Sequence, residues 1–363
     1  MARYDIAIIG AGIAGAGLAA AIGELSAGRV SVLLLESETT PGYHATGRSA
    51  AFWSESYGGP GVQPLTTASG PALQEGGFLE PLGSLHIGRA ADATKIDAFL
   101  EQFAGSGVAL TRVDPRPLVP GLHADWELGV MEASSAYIDV AALHADCLAR
   151  ARRSGTSLVT AAPLRAADRG WRLKTKAGVF EADVLVNAAG AWADAVAVLA
   201  GIAPLGIQPY RRTMVQVRTD PPTPATLPHV SDISGDFYFK PEGDGRLWLS
   251  PHDETPVDPH DVQPEELDVA IAIDRFERAG AWRAAAVERR WAGLRSFAPD
   301  RLPVYGFEPG RADFFWCAGQ GGFGIQTAPA GAALAAGLLL GVAPEPFVAA
   351  IDPAVYAPGR FRF

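Results

Sequence analysis

The sequence predicts an α/β protein of two interleaved parts, and three observations predict it. The chain opens as strand, glycine turn, helix and strand. Near its far end it returns to a buried strand, a second glycine run and an apolar helix. Between the two lie aromatic-rich alternating strands, with no repeat, low-complexity tail or flexible linker that would set one domain after another. A length of 363 residues, 48% of them hydrophobic, suits two domains or one large one with ample core. The formal net charge of −10 argues against nucleic acid or an anionic membrane surface as the main partner. Cys147 and Cys317 are too few for a disulfide framework and have no CxxC spacing. The longest apolar stretch, 330–343, falls short of a bilayer, and the first apolar run passes straight into glycines. A soluble, cytoplasmic chain without a signal peptide or transmembrane segment is expected.

The elements follow in order. YDIAII at 4–9 is a short apolar strand, the Ala-rich stretch to about Ala27 a helix, and RVSVLLLE, ending at Glu36, a second strand. The small residues and prolines of 38–63 predict an extended loop with a helical piece around 48–53. A helix is expected over 140–153, then strands near 157–160, 171–175 and 178–187. Alternating strands recur in 205–218 and 236–250, where DFYFKPEGDGRLWLS reads as a hairpin around Glu242–Gly245. Residues 252–274 are polar and then helical, and a strand at 313–318 and a helix from about 328 to 341 close the pattern.

Gly10, Gly12 and Gly15 make G-x-G-x-x-G between the first strand and helix. The first glycine permits the turn, the second lets the backbone approach a pyrophosphate, and the third allows close helix–strand packing. Phosphates then sit on the helix N-terminus, which favours anions. Glu36 ends the second strand, where an acid hydrogen-bonds ribose hydroxyls and disfavours a 2′-phosphate, so NADP is not expected. The βαβ motif does not separate NAD from FAD. The small residues of GYHATGRSAA (42–51) and the Ala188–Ala189–Gly190 end of VLVNAAGAWAD suit backbone wrapping of a cofactor. GQGGFGIQT (319–327) has four glycines, more than a tight turn needs.

These segments carry a resemblance. PGYHATGRSAA, LVNAAGAWAD, PLGIQPYRR, FYFKPEGDG, HDVQPEELD, WAGLRSF and GGFGIQT, in this order, resemble the D-amino-acid oxidase superfamily of flavoproteins, most closely its bacterial D-arginine dehydrogenases. The resemblance runs from residue 4 to about 340. It implies a Rossmann-like domain that binds FAD non-covalently, made of residues 1–80, 141–204 and 288–363. A substrate domain on a mixed or antiparallel sheet, 81–140 and 205–287, would cover the flavin face. The cofactor residues implied include Ala14 and Ser37 beside the glycines and Glu36. The wrapping loop would add His44, Ala45, Thr46, Arg48, Ser49, Ala50 and Ala51, and Pro163 is implied as a further cofactor residue. Ala189, Gly190 and Trp192 would follow, then the glycine run Gly321, Gly322, Phe323, Gly324, Ile325 and Gln326. Thr327 is the expected N-cap of the last helix, whose positive end would face the flavin pyrimidine.

For the substrate, Arg212 and Arg295 are expected to hold an α-carboxylate, because a guanidinium fork binds it bidentately and stays charged. Arg211 should point to the opposite face, as strand neighbours alternate. The resemblance adds the Tyr238 phenol on the carboxylate, Tyr57 as a lid, and carbonyls near Gly322, with Gln326, for the amine. Phe52, Ser54 and Leu85 would line the side-chain pocket and favour apolar side chains; Glu55, if it pointed inward, would restore basic ones. The reaction implied is oxidative deamination of a D-amino acid to a 2-oxo acid and ammonia, with hydride passing from Cα to flavin N5 and electrons going on to a quinone or other carrier. An oxidase using oxygen, oxidation of a secondary amine, a non-catalytic flavoprotein and an NAD-dependent dehydrogenase stand as alternatives. The protein is expected as a monomer or small homo-oligomer. The His- and Asp-rich loop 251–261 reads as proline-broken loop, no metal is expected, and Cys317 reads as a core thiol.

Overall fold

The computed structural model describes residues 3–362. An eight-stranded sheet runs Leu164–Asp168, Arg172–Thr175, Gly178–Asn187, Arg3–Ile9, Val32–Leu35 and Ser157–Val159 in spatial order, with Phe314–Ala318 and Val304–Phe307 branching beside Gly178–Asn187. Arg3–Ile9 pairs in parallel with both Val32–Leu35 and Gly178–Asn187, and the latter in parallel with Phe314–Ala318. Ile6 to Ile9 and Val32 to Leu35 are buried without alternation, as strands covered on both faces must be. Helices Ile13–Leu25 and Ala328–Leu340 cover one face together, since their alanines and glycines let the backbones approach. Trp171, Phe314 and Trp316 pack the other face against helix Ala193–Leu199.

A ten-stranded sheet stands beside it: Gln320–Gly321, Arg283–Phe297, Gln208–Asp220, Arg246–Ser250, Tyr238–Pro241, His229–Asp232, Ser84–Gly88, Leu128–Glu132 and Leu110–Val113, with Thr255–Pro256 on Gln208–Asp220. Its pairs are antiparallel except His229–Asp232 with Ser84–Gly88. Side chains alternate strictly, so Leu85, Val215, Val230, Phe239 and Leu249 bury one face under helix Glu266–Ala279. The intervening Ser84, Arg212, Met214, His229 and Tyr238 belong to the other face. A two-residue strand, Gln320–Gly321, joins the sheets: it directly follows Phe314–Ala318 of the first and pairs with Ser296 and Phe297 of the second. Gly321 makes this transit at φ +57, and a Cβ there would lie 2.1 Å from the Phe297 ring.

Several expectations change. Residues 48–53 hold no helix; Phe52–Trp53 is a strand, paired with Ala136–Ile138 in a small third sheet with Leu79–Pro81. The helix expected in the later part of 252–274 runs Glu266–Ala279, past the expected end. Helices Gln63–Glu75 and Ala93–Gln102 went unread, as did the 15-residue strand Arg283–Phe297. That strand crosses the expected boundary at 288, so residues 288–297 belong with the second sheet. Leu85 is fully buried in the core under the helix, and the residues of its strand on the cleft face are Ser84 and His86.

Candidate active site

A cavity of about 520 Å³ lies between the sheets, a usual size for a ligand site. At one end is the glycine turn. Gly10 has φ +103, and a Cβ on it would stand 2.4 Å from the Ala188 carbonyl oxygen. A Cβ on Gly15 would stand 1.9 Å from the Gly10 carbonyl oxygen, so this glycine serves packing and not the cavity wall. Gly12, Ala14, Ser37, Ala45, Thr46, Ser49, Ala50 and Pro163 line the cavity, with Ala189, Gly190 and Trp192 opposite. Buried Glu36 accepts from the Ala11 N–H (2.9 Å) and the Glu38 N–H (3.0 Å), which fixes the strand end to the turn. Thr46 Oγ1 accepts from Ile13 N–H at 3.0 Å, tying the wrapping loop to the first helix turn. His44 Nε2 is 3.0 Å from Glu38, and Arg48 donates to the Val262 carbonyl and pairs with Asp261, anchoring that loop to the other domain. Ala51 lies against an apolar cluster instead of the cavity. Gly15→Ala is expected to yield protein without bound cofactor, because overpacking costs about 1–3 kcal/mol and displaces the turn. The absorbance of the purified variant checks this; a normally coloured one overturns the packing argument.

At the other end stand the charged groups. Arg212 is buried; Nε donates to the Asp253 carbonyl at 2.7 Å and one terminal nitrogen to Glu254 at 3.2 Å. Its other terminal nitrogen is buried with no partner among the described residues. Arg295 lines the same cavity and donates to the Tyr57 phenol at 2.7 Å. A Cβ on Gly322 would lie 3.0 Å from that phenol oxygen and 3.2 Å from Arg295 Cζ, so any larger residue would press on this pair. Burial and then the Arg295 charge pull the Arg212 pKa below its ordinary value: two cations face one space. Arg211 points the other way, to Glu265 and Asp268. Tyr238 lines the cavity, and its hydroxyl donates to the Met214 thioether, a weak acceptor, at 3.1 Å.

Other expected residues are placed elsewhere. Gln326 spends its amide on protein: Nε2 donates to the Tyr57 carbonyl (3.0 Å) and Thr66 hydroxyl (2.9 Å), and Oε1 accepts from Ser54 N–H (3.4 Å). Its amide thus latches its own turn to residues 57 and 66. The Ser54 hydroxyl donates to Glu132 at 2.8 Å, away from the pocket. Glu55 turns outward, bonded to Thr67. Thr327 holds the cap position, but its hydroxyl donates back to the Phe323 carbonyl at 2.9 Å. Phe323 props the Tyr57 ring at 5.0 Å, while Gly324 and Ile325 line the cavity. Phe52 stacks on His229 at 4.2 Å and on Tyr57 at 5.1 Å.

His229, His86, Ser84, Met214 and Glu132 were missed by the sequence reading. The alternation of HVSD at 229–232 was the available signal for His229. Its Nδ1 lies 3.2 Å from the Ser84 hydroxyl, Nε2 is buried without a partner among the described residues, and burial drives its pKa well below the ordinary value. Burial lowers His86 to about 4, and burial with the Arg212 charge lowers His252 to about 3. These histidines stay neutral when folded, whereas unfolded ones take protons near pH 6.5. The unfolded chain therefore binds more protons below that pH. Stability is full above about 6.5 and falls on acidification, by at most about 1.4 kcal/mol per pH unit for each histidine. His252→Asn should flatten the slope between pH 6.5 and 4 by one proton in denaturation curves; an unchanged slope would remove His252 from this account.

A glycine-turn dinucleotide site at one end of a cavity and paired cations at the other define a dinucleotide-dependent oxidoreductase. Residues 5–338 match the family described as DAO, FAD dependent oxidoreductase, and the chain belongs to it. Its cofactor is FAD. The chain is 27% identical over 369 residues to mitochondrial dimethylglycine dehydrogenase of Mus musculus, covering 89% of this chain but 41% of that protein. It therefore spans under half the length of that relative. It is 29% identical over 192 residues to glycine oxidase of Pseudomonas putida, covering 51% of this chain and 48% of that protein. In fold it is similar to L-proline dehydrogenase from P. horikoshii (TM-score 0.85, 20% identity, 99% of this chain and 98% of that one). Glycine oxidase from Geobacillus kaustophilus gives TM-score 0.84 at 23% identity, covering 99% of both chains. The likeness thus holds for the family as a whole, and not for D-arginine dehydrogenases in particular. No helix among the described residues is long and apolar enough to cross a membrane.

Proposed function

We propose that this protein oxidises the Cα–N bond of an α-amino acid whose carboxylate sits between Arg212 and Arg295. The observation that carries the reading is the unpartnered, buried nitrogen of Arg212 beside Arg295. Two desolvated like charges favour an anion between them, and a carboxylate fits the guanidinium fork. Tyr238 would turn its hydroxyl from the thioether to that carboxylate. Tyr57 covers the site, and carbonyls of the glycine run receive the amine. Bound FAD supplies the hydride acceptor. The protein's own part is to orient Cα–H and exclude water. A primary amine would leave as an imino acid that water hydrolyses to a 2-oxo acid and ammonia.

The cofactor is held without a covalent bond in this reading: His44 is engaged with Glu38, and the Cys147 and Cys317 thiols are buried, pushed up to about 11 and 12. The strands of the eight-stranded sheet form the FAD-binding part, and those of the ten-stranded sheet the substrate part. With Leu85 in the core, side-chain selection falls to Phe52, Tyr57 and His229, an uncharged set that favours neutral side chains over basic ones. D-amino acids remain the proposed substrates, with a quinone, another carrier or oxygen as acceptor. A secondary or tertiary amine acid is the second reading, favoured by relatives named for dimethylglycine and L-proline. The test is the flavin spectrum under argon with D-amino acids, L-amino acids, glycine, L-proline and dimethylglycine added singly. Bleaching by neutral D-amino acids supports the first reading, and bleaching by the N-substituted acids alone supports the second. If none bleaches it, the amino-acid reading falls. Recovery of colour in air then separates oxidase from dehydrogenase.

A further inference from the structure

Glu132 has no exposed surface and ends the strand Leu128–Glu132 on the cleft face of the ten-stranded sheet. Its carboxylate accepts from three consecutive residues: the Ser54 hydroxyl (2.8 Å), the Glu55 N–H (2.6 Å), and both the N–H (3.3 Å) and hydroxyl of Ser56. A carboxylate is costly to bury, and this one is tolerated because four donors converge on it. The bonds hold one short turn, which continues into Tyr57. Gln326 grips the turn from its other side, at Ser54 N–H and the Tyr57 carbonyl. The Tyr57 phenol, thus placed, meets Arg295 at 2.7 Å.

We propose that Glu132 is a positioning residue for the anion site: by gathering the donors of residues 54–56 it sets the Tyr57 phenol against Arg295 and so orients the guanidinium. This rests on the reading of Arg212 and Arg295 as a carboxylate site. Glu132 does not line the cavity, and its effect passes through the turn and Tyr57. Glu132→Gln keeps the shape but sets an amide donor against a backbone N–H that cannot accept and forces the serine hydroxyls to reverse, so the turn loses part of its hold.

The test uses the FAD-loaded protein with benzoate as a plain carboxylate probe, titrated by the flavin spectrum, together with amide hydrogen exchange. In Glu132→Gln, exchange over residues 54–57 should quicken while the eight-stranded sheet stays protected, and the benzoate Kd should rise at least about tenfold. Tyr57→Phe should weaken benzoate similarly, and the double variant should be no more than about threefold worse than the weaker-binding single variant. Unchanged exchange at 54–57 overturns the clamp. Quickened exchange with unchanged benzoate affinity overturns the positioning role, as do multiplicative effects in the double variant. If Glu132→Gln does not fold, Glu132→Asp keeps the charge at shorter reach. It should raise the benzoate Kd about three- to tenfold, and native affinity in it overturns the proposal. Failure of the native protein to bind benzoate is a different result: it removes the carboxylate site, and this inference with it.

Discussion

Arg295→Met should give a folded, yellow protein that no longer saturates with its substrate. Truncating one partner of a buried charge pair costs about 2–5 kcal/mol, or roughly 30- to 4,000-fold in affinity. Methionine keeps much of the side-chain volume, and among the described residues Arg295 has a single hydrogen bond, to Tyr57, so little of the fold depends on it. Removing one of two facing cations also relieves Arg212, so the melting temperature should hold or rise. Arg211→Met is the matched control, because its pairs with Glu265 and Asp268 lie on the other face of the strand. It should lower stability and leave substrate affinity alone. Measured KM values decide the matter: an unaltered KM in Arg295→Met would mean that the carboxylate is held elsewhere.

Leu85→Glu should cripple the fold, with a loss of several kcal/mol, because it buries an unpaired carboxylate among Val230, Phe239 and Leu249. Leu85→Ala should cost about 2–5 kcal/mol by leaving a cavity. Ser84→Glu, one residue away, should also destabilise the fold, because Ser84 is buried and lies opposite buried Glu132 in the strand register, so two carboxylates would meet without water. Chemical denaturation tests all three, and the ratio of rates on D-Arg and D-Leu tests the face. A stable Leu85→Glu with a raised ratio would show that this strand lies one residue out of the register described.

The same strand shows where sequence reading reaches its end. PLGSLHIG announces a strand, but its face is a matter of parity, and an error of one residue moves every side chain to the opposite side. The parallel sheet was legible because its strands are apolar throughout, and the glycine turn because Gly10 and Gly15 have steric work that no other residue can do. Arg211 and Arg212 were separable by alternation alone. The 15-residue strand Arg283–Phe297 was not, since its first half is largely exposed, mixes alanines with charged residues without alternation, and reads as loop until its partner Gln208–Asp220 is in view. Gln326 and Ser54 show a different limit. Their residue types suit ligand contact, but nearby polar groups claimed them first, and such competition is decided by tertiary distance. Glu132 gave no signal, because the three residues that explain it lie far away in sequence.

The eight-stranded sheet draws strands from residue 3 and from residue 318, and the helix over the glycine turn packs on one that begins at residue 328. On a ribosome adding about 5–20 residues per second, on the order of 15–60 s separate the first strand from the strand Phe314–Ala318. Throughout that interval the nascent chain displays the glycine turn but lacks the segment that closes the cavity. A chain broken before residue 314 would keep the fingerprint but lack the strand, the glycine run and the helix that complete the cavity.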